Sequence, residues 1–423
     1  MTEVYTIVIP TRERPDVLRH SLKTACALDQ DNVEIVVMDN FSSPLTKDVV
    51  TECNDKRVKY CRAQKRLSMS DNWECALQNV SGDYVFFLGD DDGILPDAVE
   101  LAMIIHRQHG KGKIIAWKKV MWVWPNCIIP EFRNVLHMHI SQRMELRDSR
   151  RTLRRIYNFE TSCYEAPALY NSFVPVSLTK ELIARYGRFF FSPIPDLYSG
   201  MVNCYFSQDH VFSYRPFSVE GVSQHSTGLS YSFSHLKDKS VESFNQENKD
   251  CWDQPIDASL VDSHMTEMIM ADTMIKVKQK FFPDDTTIQI NMAGVVRSLC
   301  EAATRYSTGA DEVVAHIMAV ALKNNVPPQE YKIPATFPGP QKLINNYSMD
   351  AGKDLIRFAY CTDPSLYPTV DKAVKLVQEM SVAATALQVV PESIEEQAAA
   401  PAQRRKITLR RVARKMLALL KSK

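Results

Sequence analysis

The sequence predicts an α/β protein: a doubly wound, mostly parallel sheet, followed by a mainly α-helical C-terminal domain. Three observations carry that prediction. Short apolar runs alternate with helix-spaced stretches from Val4 to Trp117, strand-like runs thin out after residue 230, and a strongly basic segment follows at the far end.

The expected strands come in order as VYTIVIP (Val4 to Pro10), VEIVVMD (Val33 to Asp39), VKYC (Val58 to Cys61), YVFFL (Tyr84 to Leu88) and KIIAW (Lys113 to Trp117). Their near-continuous hydrophobicity says that both faces of the sheet are covered. Between them RPDVLRHSLKTACAL, SDNWECALQNV and LPDAVELAMIIHRQ have helical spacing, with Ser70 or Asp71 and Pro96 placed where helices start. Residues 118–230 are less regular. There RFFFSPIPDLYSGM is aromatic and broken by prolines, which suits a cleft-lining loop leading into the helix DLYSGMVNCYF. The pattern divides into a first domain over 1–230, a helical domain over 231–390, a linker over 391–403 and a basic tail over 404–423.

Composition narrows the class. At 45% hydrophobic and 24% charged residues the chain reads as an ordinary globular protein. Its ten cysteines show neither zinc-ligand nor disulfide-framework spacing, so a reducing cytoplasm is expected. The N-terminal residues lack the pattern of a secretory signal, and no stretch approaches the roughly 20 apolar residues of a membrane span. The formal charge of +1 hides an asymmetry: RRKITLRRVARKMLALLKSK holds nine Lys or Arg and no acid, so the rest of the chain keeps 42 basic against 50 acidic residues.

Ligands of open α/β sheets bind outside the carboxyl ends of the strands, so the residues following each strand are the candidates. The first strand is followed by Thr11, Arg12 and Arg14, and the second by Asp39 and Asn40. Lys65, Arg66 and Asn72 come after the third, and Asp90, Asp91 and Asp92 after the fourth. Singly, most of these read equally well as turn formers, caps or solvated charges. Three adjacent carboxylates at the end of a buried strand do not, because each raises the others' pKa unless a cation is present. No EF-hand spacing, P-loop or G-x-G-x-x-G accompanies them. The pattern left is a divalent ion held by one or two carboxylates and completed by substrate phosphates and water, as Mg²⁺ or Mn²⁺ is held.

TIVIPTRERPDVLRHSL, EIVVMDNFSS and SMSDNWECALQNVSGDYVFFLGDDDGILPDAV together resemble the family-2 glycosyltransferases of GT-A fold. The resemblance implies an inverting transfer of sugar from a nucleotide-diphosphate sugar, a UDP-sugar foremost, to a glycan or lipid-linked acceptor, with Mn²⁺ or Mg²⁺ as cofactor. On it, Thr11, Arg12 and Asp39 fall at the nucleotide, Asp39 accepting from the base. Arg66 falls at the diphosphate, Asp90 at the ribose, and Asp91 and Asp92 at the metal. Gly89 stands where the family often has its first Asp. Asp196 falls at the catalytic base, with Pro195 where the family usually shows Glu, and Asp209 is the weaker rival. His225, in VEGVSQHSTGLS, resembles a segment that follows the catalytic helix in some members and is a further metal candidate. Phe189 to Phe191, Trp117, Trp122 and Trp124 are candidates for stacking on sugars, with burial in the core the plainer expectation.

A helix over KITLRRVARKMLALLK would set Leu409, Val412, Ala413, Met416, Leu419 and Leu420 on one face, bordered by Arg410, Arg411, Arg414 and Lys415. That pattern predicts attachment to an anionic membrane surface, at the inner face of the cytoplasmic membrane, which suits surface-polysaccharide or glycolipid synthesis. A tail without aromatic residues on a net-acidic body argues against nucleic acid; self-association is compatible with all of this. The competing readings are a nucleotidyltransferase, which calls for a Gly-rich loop that TRERP lacks, and a non-catalytic GT-A scaffold.

Overall fold

The computed structural model describes residues 2–141, 143–233, 246–248, 255–342, 345–350, 355–381 and 389–391. The basic tail over 404–423, and with it the expected amphipathic helix, lies outside them, as does the linker from 392 on. Among the described residues no helix is long and apolar enough to cross a membrane.

The first half alternates as its apolar runs predict: β1 (Tyr5–Thr11), α1 (Pro15–Cys26), β2 (Val33–Asp39), α2 (Pro44–Glu52), β3 (Val58–Arg62), α3 (Met69–Leu77) and β4 (Tyr84–Phe87). Helix starts follow local chemistry. Proline opens α1 and α2, where its missing N–H costs nothing. The Ser68 side chain caps α3 by accepting from Asp71 N, two residues before the expected start. β1 pairs in parallel with both β2 and β4, and its register sets Thr11 level with Asp39. The strand ends therefore meet at one edge.

Next come β5 (Gly93–Ile94), α4 (Ala98–His109), β6 (Ile114–Trp117), β7 (Val120–Val123), β8 (Val135–Ile140), β9 (Met144–Asp148) and α5 (Ser149–Tyr157). They are followed by β10 (Ser172–Pro175), α6 (Val176–Tyr186), α7 (Pro195–Phe206), β11 (Asp209–Ser213), β12 (Ser218–Val222) and α8 (Thr227–Ser232).

The main sheet has nine strands in the order β15-β9-β11-β6-β10-β4-β1-β2-β3, where β15 is Val389–Pro391. It is mixed rather than mostly parallel, because β10 inserts antiparallel between β4 and β6, and β9 lies antiparallel to β11. Only four residues long and ending in proline, β10 has no extended apolar run to announce it. Two apolar layers cover the sheet. One is built on Val8, Val36, Phe87 and Trp73, the other on Ile7, Ile35, Phe86 and Trp117.

The helical region holds α9 (Thr266–Phe281), α10 (Met292–Ala303) and α11 (Ala310–Lys323), packed around Met268, Val296, Leu299 and Ile317. The chain then rejoins the first half. β13 (Asn346–Asp350), β14 (Leu355–Cys361) and α12 (Val370–Met380) follow, and β14 pairs with β8 in a second, six-stranded sheet ordered β13-β14-β8-β7-β12-β5. Lys23 and His20 of α1 both reach Asp371 of α12 at 2.9 Å. Residues 346–380, expected with the helices, thus complete the wall beneath β12.

Candidate active site

A cavity of about 300 Å³ opens at the carboxyl ends of β1 and β4. Thr11, Arg12, Arg14, Asn40, Asn72, Asp90, Asp91, Asp196 and His225 all line it, so most of the residues expected from the strand ends do converge. An extension lined by Arg12, Phe41 and Arg66 adjoins it and shares Arg14, Asn40 and His225 with it.

The three aspartates have three different surroundings. Asp90 is neutralised, accepting from Thr11 Oγ1 at 2.8 Å and from Arg14 Nη1 at 3.1 Å. Burial works against the Arg14 charge, but Asp90 and then Asp91 hold it protonated. Asp92, expected at the metal, is spent within the protein. Its Oδ1 accepts from Gly221 N at 2.7 Å, its Oδ2 from Gly89 N at 3.1 Å, and Tyr170 donates to it as well. It does not line the cavity. Asp91 does; its Oδ2 accepts from Ser223 Oγ at 2.7 Å and Ser223 N at 3.2 Å. The other oxygen, Oδ1, takes no hydrogen bond from the described residues. Burial first, then the Asp90 charge, pushes the Asp91 carboxyl up to about 6. Burial and the Asp91 charge drive Asp92 up too.

The unusual Gly89 now has a physical reason. A Cβ there would lie 2.7 Å from both Asp92 Oδ2 and the Tyr170 hydroxyl. Gly221 is equally constrained, with a Cβ falling 1.8 Å from the Asp91 carbonyl oxygen.

A divalent cation fits this arrangement at Asp91, whose partnerless oxygen and raised pKa both report uncompensated negative charge. Among the described residues no group of three or more His, Cys, Asp or Glu could hold an ion alone. The remaining positions would have to come from ligand oxygens and water, as Mg²⁺ and Mn²⁺ accept. The His225 ring faces Asp16 at 3.2 Å, and its backbone N–H donates to Ser223 Oγ.

Other expected residues serve differently. Asp39 is fully buried and off the cavity; it accepts from Ser42 N at 2.8 Å and from the Tyr60 hydroxyl at 2.5 Å. Asn40 spends its amide on both backbone groups of Leu67. Asn72 keeps a buried Oδ1 without a partner. Arg12 and Arg66 converge on one carboxylate, Glu247, at 2.7 and 2.5 Å. Asp209 pairs with Lys113 and is off the cavity. Phe189, Phe190, Trp117, Trp122 and Trp124 are buried core.

Asp196 opens the first turn of α7, with Pro195 at its start. Its loop is fixed from behind, where Glu74 of α3 accepts from Phe189 N and Phe190 N at 2.9 Å each. Burial raises the Asp196 carboxyl, with Lys119 the leading opposing influence. Lys119, Tyr170 and Glu220 reach this end of the site by tertiary approach, and α9 adds Thr266 and Ile269 to the lining. Only the lysine had a legible signal, since Lys118 and Lys119 directly follow β6.

Residues 6–151 match the model of the family Glycosyl transferase family 2. Over 101 residues the chain is 34% identical to the GalNAc(5)-diNAcBac-PP-undecaprenol beta-1,3-glucosyltransferase of Campylobacter jejuni, covering 23% of this chain and 33% of that protein. Over 97 residues it is 31% identical to glycosyltransferase GlyA of Streptococcus pneumoniae, covering 22% and 14%. The chain therefore spans a third or less of these relatives' lengths. Residues 1–349 of S. aureus TarS, solved with UDP-GlcNAc, align at 13% identity and a TM-score of 0.42, covering 80% of this chain and 99% of that one.

Proposed function

We propose that this chain, which carries a glycosyl transferase family 2 domain over residues 6–151, transfers a sugar from a nucleotide-diphosphate sugar to a hydroxyl of a glycan or lipid-linked acceptor, with inversion. The observation that carries the reading is one cavity holding Thr11, Arg14, Asp90 and Asp91 at the strand ends and Asp196 on a separate wall. The acceptor oxygen attacks the anomeric carbon as the bond to the diphosphate breaks. Asp196 takes the hydroxyl proton, and the nucleoside diphosphate leaves. The ionised, half-buried Arg14 and the guanidinium groups of Arg12 and Arg66 suit a diphosphate, which arginine can meet with paired hydrogen bonds. Asp91 is the residue to hold Mn²⁺ or Mg²⁺, which when bound would neutralise charge on the leaving diphosphate. Phe41, half-exposed at the outer extension with Arg62 4.5 Å over its ring, suits a nucleobase face better than the enclosed Asp39 does.

The finer assignments stand with the same reading: a UDP-sugar donor, surface-polysaccharide or glycolipid synthesis, and a place at the inner face of the cytoplasmic membrane through 404–423. The Campylobacter relative's name specifies an undecaprenol-diphosphate acceptor, which supports a lipid-linked one here. Calorimetry with UDP, GDP and CDP, with and without Mn²⁺, tests the donor half. Metal-dependent binding of one nucleotide, lost in Asp91→Ala, is the expected result, and binding of none of them refutes it. Asp196→Asn should abolish transfer while nucleotide binding persists.

A further inference from the structure

Lys119 sits in the tight connection between β6 and β7, and its side chain is only 12% exposed. Its Nζ lies 3.2 Å from Glu220 Oε2, 4.7 Å from the centre of the Tyr170 ring and 5.0 Å from that of Tyr164. An ammonium enclosed by two rings loses most of its hydration and persists only if carboxylates replace it. Burial works against its charge, but Glu220, Asp196 and Asp92, in that order, keep it protonated. Glu220 and Asp196 both line the cavity. Without the lysine they would face each other as like charges in a poorly hydrated site, and one would take up a proton.

We propose that Lys119 is a positioning residue for the reaction's base: its buried ammonium, paired with Glu220 and facing Asp196, keeps the Asp196 carboxylate free of a proton. This rests on the glycosyl-transfer reading above, in which Asp196 must be ionised to accept the acceptor's proton. The other groups facing Asp196 do not supply that charge. Cys163, on the turn preceding β10, is a neutral thiol whose ionisation burial opposes, and Tyr164 beside it is a neutral phenol. Glu220 on β12 is repulsive. From α9, Glu267 is tied to Arg305 at 2.7 Å.

The test reads Asp196 directly, in the full chain without ligands. With carboxyl-¹³C-labelled aspartate, and Asp196→Asn to assign the signal, the titration midpoint of Asp196 is followed in the wild type, Lys119→Met and Lys119→Arg. The midpoint should move to higher pH in Lys119→Met and return toward wild type in Lys119→Arg; an unmoved midpoint in Lys119→Met overturns the proposal. Should Lys119→Met fail to fold, Lys119→Gln, which keeps a polar head for Glu220 but no charge, serves instead: the midpoint should rise, and an unmoved one overturns the proposal equally. With a donor found by calorimetry, Lys119→Met should lower kcat at pH 7 by roughly tenfold, as loss of one buried opposite charge does. The loss should shrink as pH rises, with donor KM unchanged. A wild type that turns over no donor counts against the transfer reading alone, since the midpoint shift does not depend on it.

Discussion

Replacing Glu74 by alanine isolates the support behind Asp196. The Glu74 carboxylate is buried and accepts the backbone N–H groups of Phe189 and Phe190, each at 2.9 Å, so its removal strands two donors where water has little access. A buried donor left unpaired costs about 1–3 kcal/mol. Relief from burying a charge, visible in the raised pKa of this carboxyl, offsets part of the sum. The expected loss is about 2–4 kcal/mol in urea denaturation. The loop held by Glu74 runs on to Asp196, so turnover should fall further than stability predicts, with nucleotide binding nearly kept. Glu74→Gln preserves an acceptor oxygen and should recover most of the stability. A loss below about 1 kcal/mol for Glu74→Ala, or an alanine variant no worse than the glutamine one, would refute the reasoning.

Four further outcomes can be measured. Gly221→Ala forces a Cβ to within 1.8 Å of the Asp91 carbonyl; thermal unfolding should show about 3 kcal/mol lost, and an unchanged midpoint would show that the strands can part. Glu165 is half-buried, which alone would raise its pKa, yet Arg147 and Lys118 bring it down to about 2. Its contribution to stability is therefore complete above the ordinary glutamate pKa and lost as pH falls toward about 2. Glu165→Gln should flatten the acid limb of the melting curve, and an unaltered limb contradicts the pairing. Removing the Glu247 charge weakens its hold on Arg12 and Arg66, so Glu247→Gln should bind nucleoside diphosphate about tenfold more tightly in calorimetry; equal or weaker binding would show that the two arginines take no part. A chain cut near residue 230 should bind nucleotide more weakly in the same calorimetry than one reaching past Met380, and equal binding would show that the second sheet gives no support.

The parallel core was legible because a strand buried on both faces must be largely apolar, and β1, β2 and β4 are, with Thr6 and Glu34 the main interruptions. Their register then carried Thr11, Arg14, Asp90 and Asp91 to one edge without further information. β10 was hidden by its brevity and its proline, and β14 because its partner β8 lies more than 200 residues earlier. Within the aspartate triplet, sequence could count charges but could not tell which oxygens were already spoken for. Those partners, Gly221, Ser223 and Tyr170, arrive from β12 and from the loop before β10. Reading past the fourth strand end to the fifth would have found Lys118 and Lys119; nothing in SVEGV marks Glu220.

β12 holds Glu220 at the cavity and Gly221 against the aspartates, and its own support runs through β7 and β8 to β14, with α12 laid across it. The shortest self-sufficient fragment that keeps the cavity therefore cannot stop near residue 230, where the α/β pattern ends. A fragment cut there would keep every residue named at the strand ends yet lose the apolar backing of Ile356, Phe358, Val374 and Val377. It should bind nucleotide poorly, if it folds, whereas one reaching past Met380 should not. Residues more than 120 positions downstream of β12 are thus part of what holds that wall of the cavity in place.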